Sequence, residues 1–285
     1  MKDNKNIIIV VVFVLAIAGV IFLAKSKSNN TAPTEDTGLS NQSEVPATST
    51  APKSVSVQPK NTTKSATDSK APVEAQDYNP TIKAGDFIST ISNPFFTLLP
   101  GTSFTYETTD GSEKDIVIVT NRTKIISGVK TTEVWDRVWK GSELIEETTD
   151  WYAQDKEGNV WYFGEDSKEY KNGKVTSTDG SWKSGVSGAK PGIIMKAHPK
   201  IGESYRQEYS KGVAEDAALV VSLGEIVQLS SRNYSECLKT KDYSYIEPGV
   251  SEYKYYCPEA GNLALETDLD GGQRLELISI EKVSI

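Results

Sequence analysis

The sequence predicts an all-β domain behind an N-terminal transmembrane helix. The domain is an antiparallel meander, curved strongly into a half-open barrel or a sandwich. Three observations predict it. Segments rich in Thr, Val, Ile, Tyr and Trp recur along the second two thirds of the chain, and Gly/Asn/Asp/Pro clusters separate many of them. A helical period is nearly absent there. Aromatic residues are missing from 25–77 and dense from Tyr78 onward. The chain therefore divides into a short tail (1–6), an apolar segment (7–24), a spacer (25–77) and one folded domain (78–285). The net charge of −8 excludes a basic nucleic-acid binder.

Residues 7–24 read IIIVVVFVLAIAGVIFLA, without a charge. As a helix they span about 27 Å, close to a bilayer core. The rival reading is a signal peptide following Lys2 and Lys5. The run is longer than a normal h-region, and Phe22-Leu23-Ala24 makes a poor cleavage site. An uncleaved, single-pass anchor is the expectation, and secretion after cleavage is the alternative. Lys2 and Lys5 are balanced by Lys25 and Lys27, so the positive-inside count nearly ties. The expected partner of this segment is the membrane, with the domain on the extracytoplasmic side. Residues 25–77 carry 9 Ser, 8 Thr and 5 Pro, too little apolar surface to offset the entropy of ordering. They read as a tether with ends about 40 Å apart. A plain linker and a glycosylated stalk share that composition.

In the domain, strands are expected over 113–127, 130–140, 143–155, 159–165, 204–210, 214–223, 235–246, 250–257 and 272–283. Two hairpins can be registered. A Gly141-Ser142 loop pairs Lys140 with Glu143, which sets Trp139 opposite Leu144 and Arg137 opposite Glu146. A three-residue loop ending in Gly158 pairs Asp155 with Asn159, which sets Tyr152 opposite Tyr162 and Trp151 opposite Phe163. Following the pleat, Val134, Val138, Ile145, Trp151, Ala153, Trp161 and Phe163 form a core face. The other face holds Trp135, Arg137, Trp139, Leu144, Glu146, Tyr152 and Tyr162. Aromatics around an ion pair do not normally face open water, so another sheet, a loop or a ligand covers them. Trp135, Arg137, Glu146, Tyr152 and Tyr162 are the expected ligand-binding residues; a second core layer is the competing reading. The 21-residue stretch Lys183–Glu203, with Ile193-Ile194-Met195, is the expected cover, either a packed lid or a gating loop.

Several runs carry a resemblance. They are Asn93-Pro94-Phe95-Phe96, the stretch from Asp150-Trp151-Tyr152 to Tyr162-Phe163-Gly164-Glu165, Gly192-Ile193-Ile194-Met195, Tyr205-Arg206-Gln207-Glu208-Tyr209, and Glu236-Cys237-Leu238-Lys239-Thr240 through Glu247-Pro248-Gly249-Val250 to Lys254-Tyr255-Tyr256. Together, over 85–285, they resemble a family of exported, membrane-tethered bacterial β-rich domains without an assigned activity. The resemblance implies export and carries no catalytic residue over.

Cys237 and Cys257 flank the turn Glu247-Pro248-Gly249-Val250 almost symmetrically. A hairpin centred there brings them within a residue or two of facing each other, a spacing that suits a disulfide and an oxidising compartment. Two unrelated thiols are the alternative.

Chemistry-bearing motifs are sparse. His198, the only histidine, lies beside Pro199 in the long loop, and no nucleophile elbow accompanies it. Asp155–Asn159 and Asp268–Gly272 lack the ligands of a calcium loop and read as turns. No metal, cofactor or catalytic residue is expected. The first functional reading is a non-catalytic binding module for an unidentified extracytoplasmic ligand. The alternatives are an envelope hydrolase using paired carboxylates, with Glu146/Glu147/Asp150 and Glu165/Asp166/Glu169 as candidates and Glu146 and Asp150 sharing a face, and a purely structural surface module.

Overall fold

A computed structural model describes residues 78–285. The expected anchor over 7–24 and spacer over 25–77 lie outside the described residues. The strands are β1 (Phe87–Ile88), β2 (Ile91–Asn93), β3 (Phe96–Leu98), β4 (Thr102–Thr108), β5 (Glu113–Ile126), β6 (Val129–Lys140), β7 (Glu143–Asp155), β8 (Val160–Lys171), β9 (Lys174–Ser177), β10 (Trp182–Lys183), β11 (Lys190–Met195), β12 (Ser204–Arg206), β13 (Glu208–Tyr209), β14 (Asp216–Gln228), β15 (Asn233–Ser244), β16 (Ser251–Cys257), β17 (Asn262–Asp268) and β18 (Arg274–Lys282). Helix among the described residues is one 3-10 turn, Ala84–Asp86.

The chain builds two antiparallel meanders, β4 to β8 and β14 to β18, and β18 pairs with β4 to join them. β11 extends the sheet beyond β8. One short segment then spans the remaining gap. Its first half, β12, pairs with β14, and its second half, β13, pairs with β11. The Gln207 N–H at the crossover donates to the Asp216 carbonyl at 2.9 Å. Gly192 makes the approach possible, because a Cβ there would lie 2.2 Å from the Gln207 carbonyl. The result is a nearly closed, barrel-like antiparallel sheet, which leaves few unpaired edges. The stretch expected as a lid thus contributes a wall strand, β11, with Ile194 and Met195 buried.

One end of the barrel is plugged. The β2–β3 hairpin buries Ile91, Phe96 and Leu98 in the main core. Phe96 meets Tyr152 edge-on at 5.5 Å and Tyr256 at 6.3 Å. Gln154 Oε1 accepts from the N–H groups of Ser92 and Asn93, and Asn93 Nδ2 donates to the Gly158 and Lys196 carbonyls. These bonds satisfy the turn that the Asn93-Pro94 pair forces.

Cys237 and Cys257 form a disulfide near the plugged end, with Cα atoms 4.2 Å apart. The neighbouring pair Leu238↔Tyr256 sets them directly opposite. The bridge closes a loop with a sequence separation of 20. In the chain-entropy model a loop of that size stabilises the fold by about 3 kcal/mol. The double variant Cys237→Ala/Cys257→Ala should therefore lose about 3 kcal/mol in urea unfolding. An unchanged midpoint would contradict a structural role for the bridge.

Candidate functional site

Two β-bulges decide which side chains enter the barrel. At the β6–β7 hairpin the turn register is as expected, Lys140↔Glu143 and Trp139↔Leu144, but the next pair is Val138↔Glu146. Ile145 is the extra residue. From there on β7 is one step out of phase with a simple pleat, and Arg137 opposes Glu147 rather than Glu146. The second bulge lies between Tyr152↔Tyr162 and Asp150↔Glu165, so Trp151 and Phe163 are not a pair. Phe163 and Gly164 occupy the extra position on β8. Gly164 has φ +136°, and a Cβ there would lie 2.5 Å from the Trp182 carbonyl, so no other residue fits. Without this bulge Glu165 would point outward; with it, Glu165 is buried.

The interior rows consequently mix apolar and acidic residues. On β5, Asp115 lies in the same row as Val117 and Val119; on β6, Asp136 lies between Val134 and Val138. Around the lumen the buried acids are Asp115, Asp136, Glu146, Asp150, Glu165, Glu208, Asp216, Asp242, Glu252 and Glu266. The buried cations among the described residues are Lys254 and Arg206. Arg206 is taken up outside this belt, by Glu215 at 3.6 Å and by the Tyr245 ring at 3.7 Å. Lys254 Nζ sits 3.1 Å from Glu252 and 3.3 Å from Glu266. Burial opposes its charge, but Glu252 and Glu266 outweigh it, so its pKa lies well above that of a free lysine.

One ammonium cannot neutralise ten carboxylates in a low-dielectric lumen, so many of them hold a proton. Burial, then Asp136 beside it, pushes Asp115 well above the ordinary range. Asp115 and Asp136 lie diagonally across β5 and β6, and their contact is favourable only with a shared proton. Glu208 and Asp216 make a second such contact. Burial, then Asp216, drives Glu208 up. Burial raises Asp216 to about 7, opposed by the Ser244 hydroxyl and Lys254. Burial, reinforced by Asp136, likewise raises Asp150 to about 7, although the hydroxyls of Tyr162 (2.7 Å) and Thr148 (3.1 Å) donate to it.

At the end away from the plug, a cavity of about 170 Å³ opens onto this belt. Its acidic wall residues are Glu165, Glu169, Asp179, Glu208, Asp216 and Glu247; Val213, Ala214 and Ile246 supply the apolar wall. No Lys or Arg lines it. Glu208 Oε2 accepts from Trp182 Nε1 at 2.8 Å. Glu165 Oε2 is buried and has no hydrogen-bond partner. Burial, then Glu208 and Asp150, raises the Glu165 pKa well above normal; the nearby Tyr162 hydroxyl, which donates to Asp150 at 2.7 Å, offsets this only in part. A buried carboxyl oxygen without a hydrogen bond, on a residue that lines the cavity, leaves a position that an entering N–H or O–H group can fill. A smaller space of about 10 Å³ continues inward, past Glu208 and Asp216, to Asp242 and Lys254.

The five residues expected to form one ligand face do not come together. Trp135 and Arg137 are on the outside of the barrel. Trp135 donates to Glu133 at 3.1 Å and lies between the guanidinium groups of Arg122 (4.8 Å) and Arg137 (5.2 Å). Arg137 bonds Glu147 at 2.8 Å. Glu146, Tyr152 and Tyr162 are inside, where the two tyrosine rings stack at 4.8 Å. The expected faces were mixed because an alternating pattern carries no mark of the extra residue at Ile145. Trp151, Ala153 and Phe163 join Ile126 and Val129 in a second, smaller cluster, separate from the one that holds Val134. The Asp155–Asn159 motif is a turn, its carboxylate accepting from Asn159 and Trp161. The acidic group Glu165/Asp166/Glu169 expected from the sequence contributes Glu165 and Glu169 to the cavity; sequence reasoning missed Glu208 and Asp216. The available signal was the row-sharing of acids with valines on β5 and β6.

Comparison of the chain with protein-family models, with curated proteins and with solved structures finds no match.

A pH dependence follows from these shifts. The folded-state pKa values of Asp115, Glu146, Asp150, Glu165, Glu208, Asp216, Asp242 and Glu266 are raised above their unfolded values. Their stabilising contribution is thus complete below about pH 4 and is lost as pH rises through the folded values, about 7 for Asp150 and Asp216. The thermal midpoint should fall between about pH 5 and pH 8. Asp115→Asn, which keeps the shape and cannot ionise, should raise the midpoint at about pH 8 by roughly 2–4 °C, on the order of 1 kcal/mol, and leave it unchanged near pH 4. A midpoint that rises with pH across that window would contradict the assignment.

Proposed function

We propose that the domain is a non-catalytic binding module, held outside the membrane by residues 7–24, whose ligand carries positive charge and enters the acidic end of the barrel. One observation carries this reading. A cavity walled by six acidic residues, without a Lys or Arg, is lined by Glu165, one of whose carboxyl oxygens is buried and makes no hydrogen bond. In water such a wall concentrates cations at the mouth. The opposite end is stoppered by the β2–β3 hairpin, so the cavity is a blind recess suited to capture. The disulfide fits an oxidising, extracytoplasmic setting.

Carboxylate-based hydrolysis is the second reading, favoured by the shared proton of Glu208 and Asp216. It demands turnover that Glu208→Gln abolishes while ligand capture persists.

Thermal denaturation of the full chain with small cationic, neutral and anionic probes tests the proposal. Cationic probes alone should raise the midpoint, by about 2.7 kcal/mol of added stability at a hundred times Kd. Glu165→Gln combined with Glu169→Gln should remove the effect. Equal shifts from anions, or no shift from any cation, would refute it. A reporter fused after residue 77 should respond as an external one; a cytoplasmic signal would refute the topology.

A further inference from the structure

We infer that the acidic cavity takes a primary alkylammonium group, and that the Glu208–Asp216 pair gives up its shared proton when the group enters. The inference rests on the binding reading above and names the ligand chemistry.

Three observations choose the ammonium. First, among the described residues no three acidic, His or Cys side chains converge closely enough to hold a metal ion. A divalent cation wants about six oxygens at close, ordered distances, whereas an ammonium needs only hydrogen-bond acceptors around a tripod of N–H donors. Second, the buried acceptor on this wall that makes no hydrogen bond is a single oxygen, Glu165 Oε2, while Glu208 Oε2 is already engaged by Trp182. A planar guanidinium is best served by a complete two-oxygen fork, which Glu208, engaged by Trp182, does not offer at this depth. Third, part of the cavity wall is apolar. Val213 and Ile246 are exposed at the mouth, and Ala214 is buried behind them. They suit an alkyl stem that follows a charged head, a division of surface that long amine side chains display.

The proton follows from charge balance. Glu208 and Asp216 are faced by Glu165 of β8, Asp150 of β7, Asp242 of β15, and Glu252 and Lys254 of β16; the Ser244 hydroxyl and Trp182 N–H are the neutral donors. With Lys254 committed to Glu252 and Glu266, the pair stays compatible with its neighbours only by retaining a proton. An arriving ammonium supplies the missing positive charge. The pair then ionises and the proton leaves to solvent, while the ligand keeps its own three N–H bonds. No covalent bond changes. Positive charge enters as R–NH₃⁺ and leaves as H⁺, so the occupied site is as neutral as the empty one.

The same group can come from a free aliphatic diamine or from a lysine side chain of a peptide. Titration calorimetry on the full chain in detergent separates these sources and tests the exchange. The probes are cadaverine, a blocked lysine amide, and tetramethylammonium, which carries charge but no N–H. Each is measured near pH 6 and near pH 7, in two buffers of different ionisation enthalpy. About one proton should be released per ligand near pH 6, and the apparent Kd should be about tenfold lower at pH 7. Tetramethylammonium should bind at least tenfold more weakly. Cadaverine binding with no response to the blocked lysine assigns a free diamine; a response to both assigns the side-chain ammonium as sufficient. Glu208→Gln should abolish proton release, and Asp216→Asn, an independent variant at the same pair, should do so too; circular dichroism verifies that each keeps its fold. Binding of primary amines without proton release, or tetramethylammonium binding as tightly as cadaverine, would overturn this inference and leave the binding module standing. Failure of every cation to bind would overturn both.

Discussion

Burying carboxyl groups in a barrel that holds one ammonium is the constraint from which the rest of this structure follows. An ionised carboxylate in a low-dielectric interior is costly unless it is paired, and Lys254 pairs with only two. The remaining acids must share protons, accept from hydroxyls, or face the open end. All three solutions occur. Asp115 with Asp136 and Glu208 with Asp216 share protons. Asp150 accepts from Tyr162 and Thr148. Glu165 keeps one oxygen unfilled beside the cavity.

The barrel divides this load along its axis. At the plugged end, Phe96, Tyr152 and Tyr256 fill the lumen with rings and the disulfide ties β15 to β16. That apolar half supplies stabilisation of about 1.5–3 kcal/mol for each large side chain buried. The acidic half works against it above neutral pH. Closure depends on one short segment, 204–209, which seals the wall through β12 and β13 and also delivers Glu208 to the cavity. The elements that finish the fold and the elements that build the site are here the same residues.

Much of the fold was legible. The Gly141-Ser142 and Gly158 turns placed Lys140 opposite Glu143 and Tyr152 opposite Tyr162, because short hairpin loops determine register at their own mouths. The near-symmetric cysteines were legible for the same reason. Register away from the turns was not, because a single inserted residue inverts every later assignment and leaves no trace in a period of two. β17 escaped notice since Leu263-Ala264-Leu265-Glu266 is a continuous run of helix-favouring residues, buried along its length. β11 escaped because Pro191-Gly192 reads as a turn, whereas the glycine serves close packing against Gln207. The acidic belt was hidden by a sound habit, that charges on strands face water. Tyr162, Glu146 and Asp150 were singled out as candidates, but their placement inside the barrel comes from the bulges at Ile145 and Gly164.

The functional reading depends on whether these carboxyls hold protons at neutral pH. Infrared spectroscopy of the folded domain in heavy water tests this directly, since a protonated carboxyl has a carbonyl stretch separate from that of a carboxylate. Several protonated carboxyls should persist at about pH 6, where free Asp and Glu side chains, titrating near 3.9 and 4.3, are ionised. Complete loss of that band by about pH 5 would mean an ordinary, solvated set of acids, and the lumen described here would not exist.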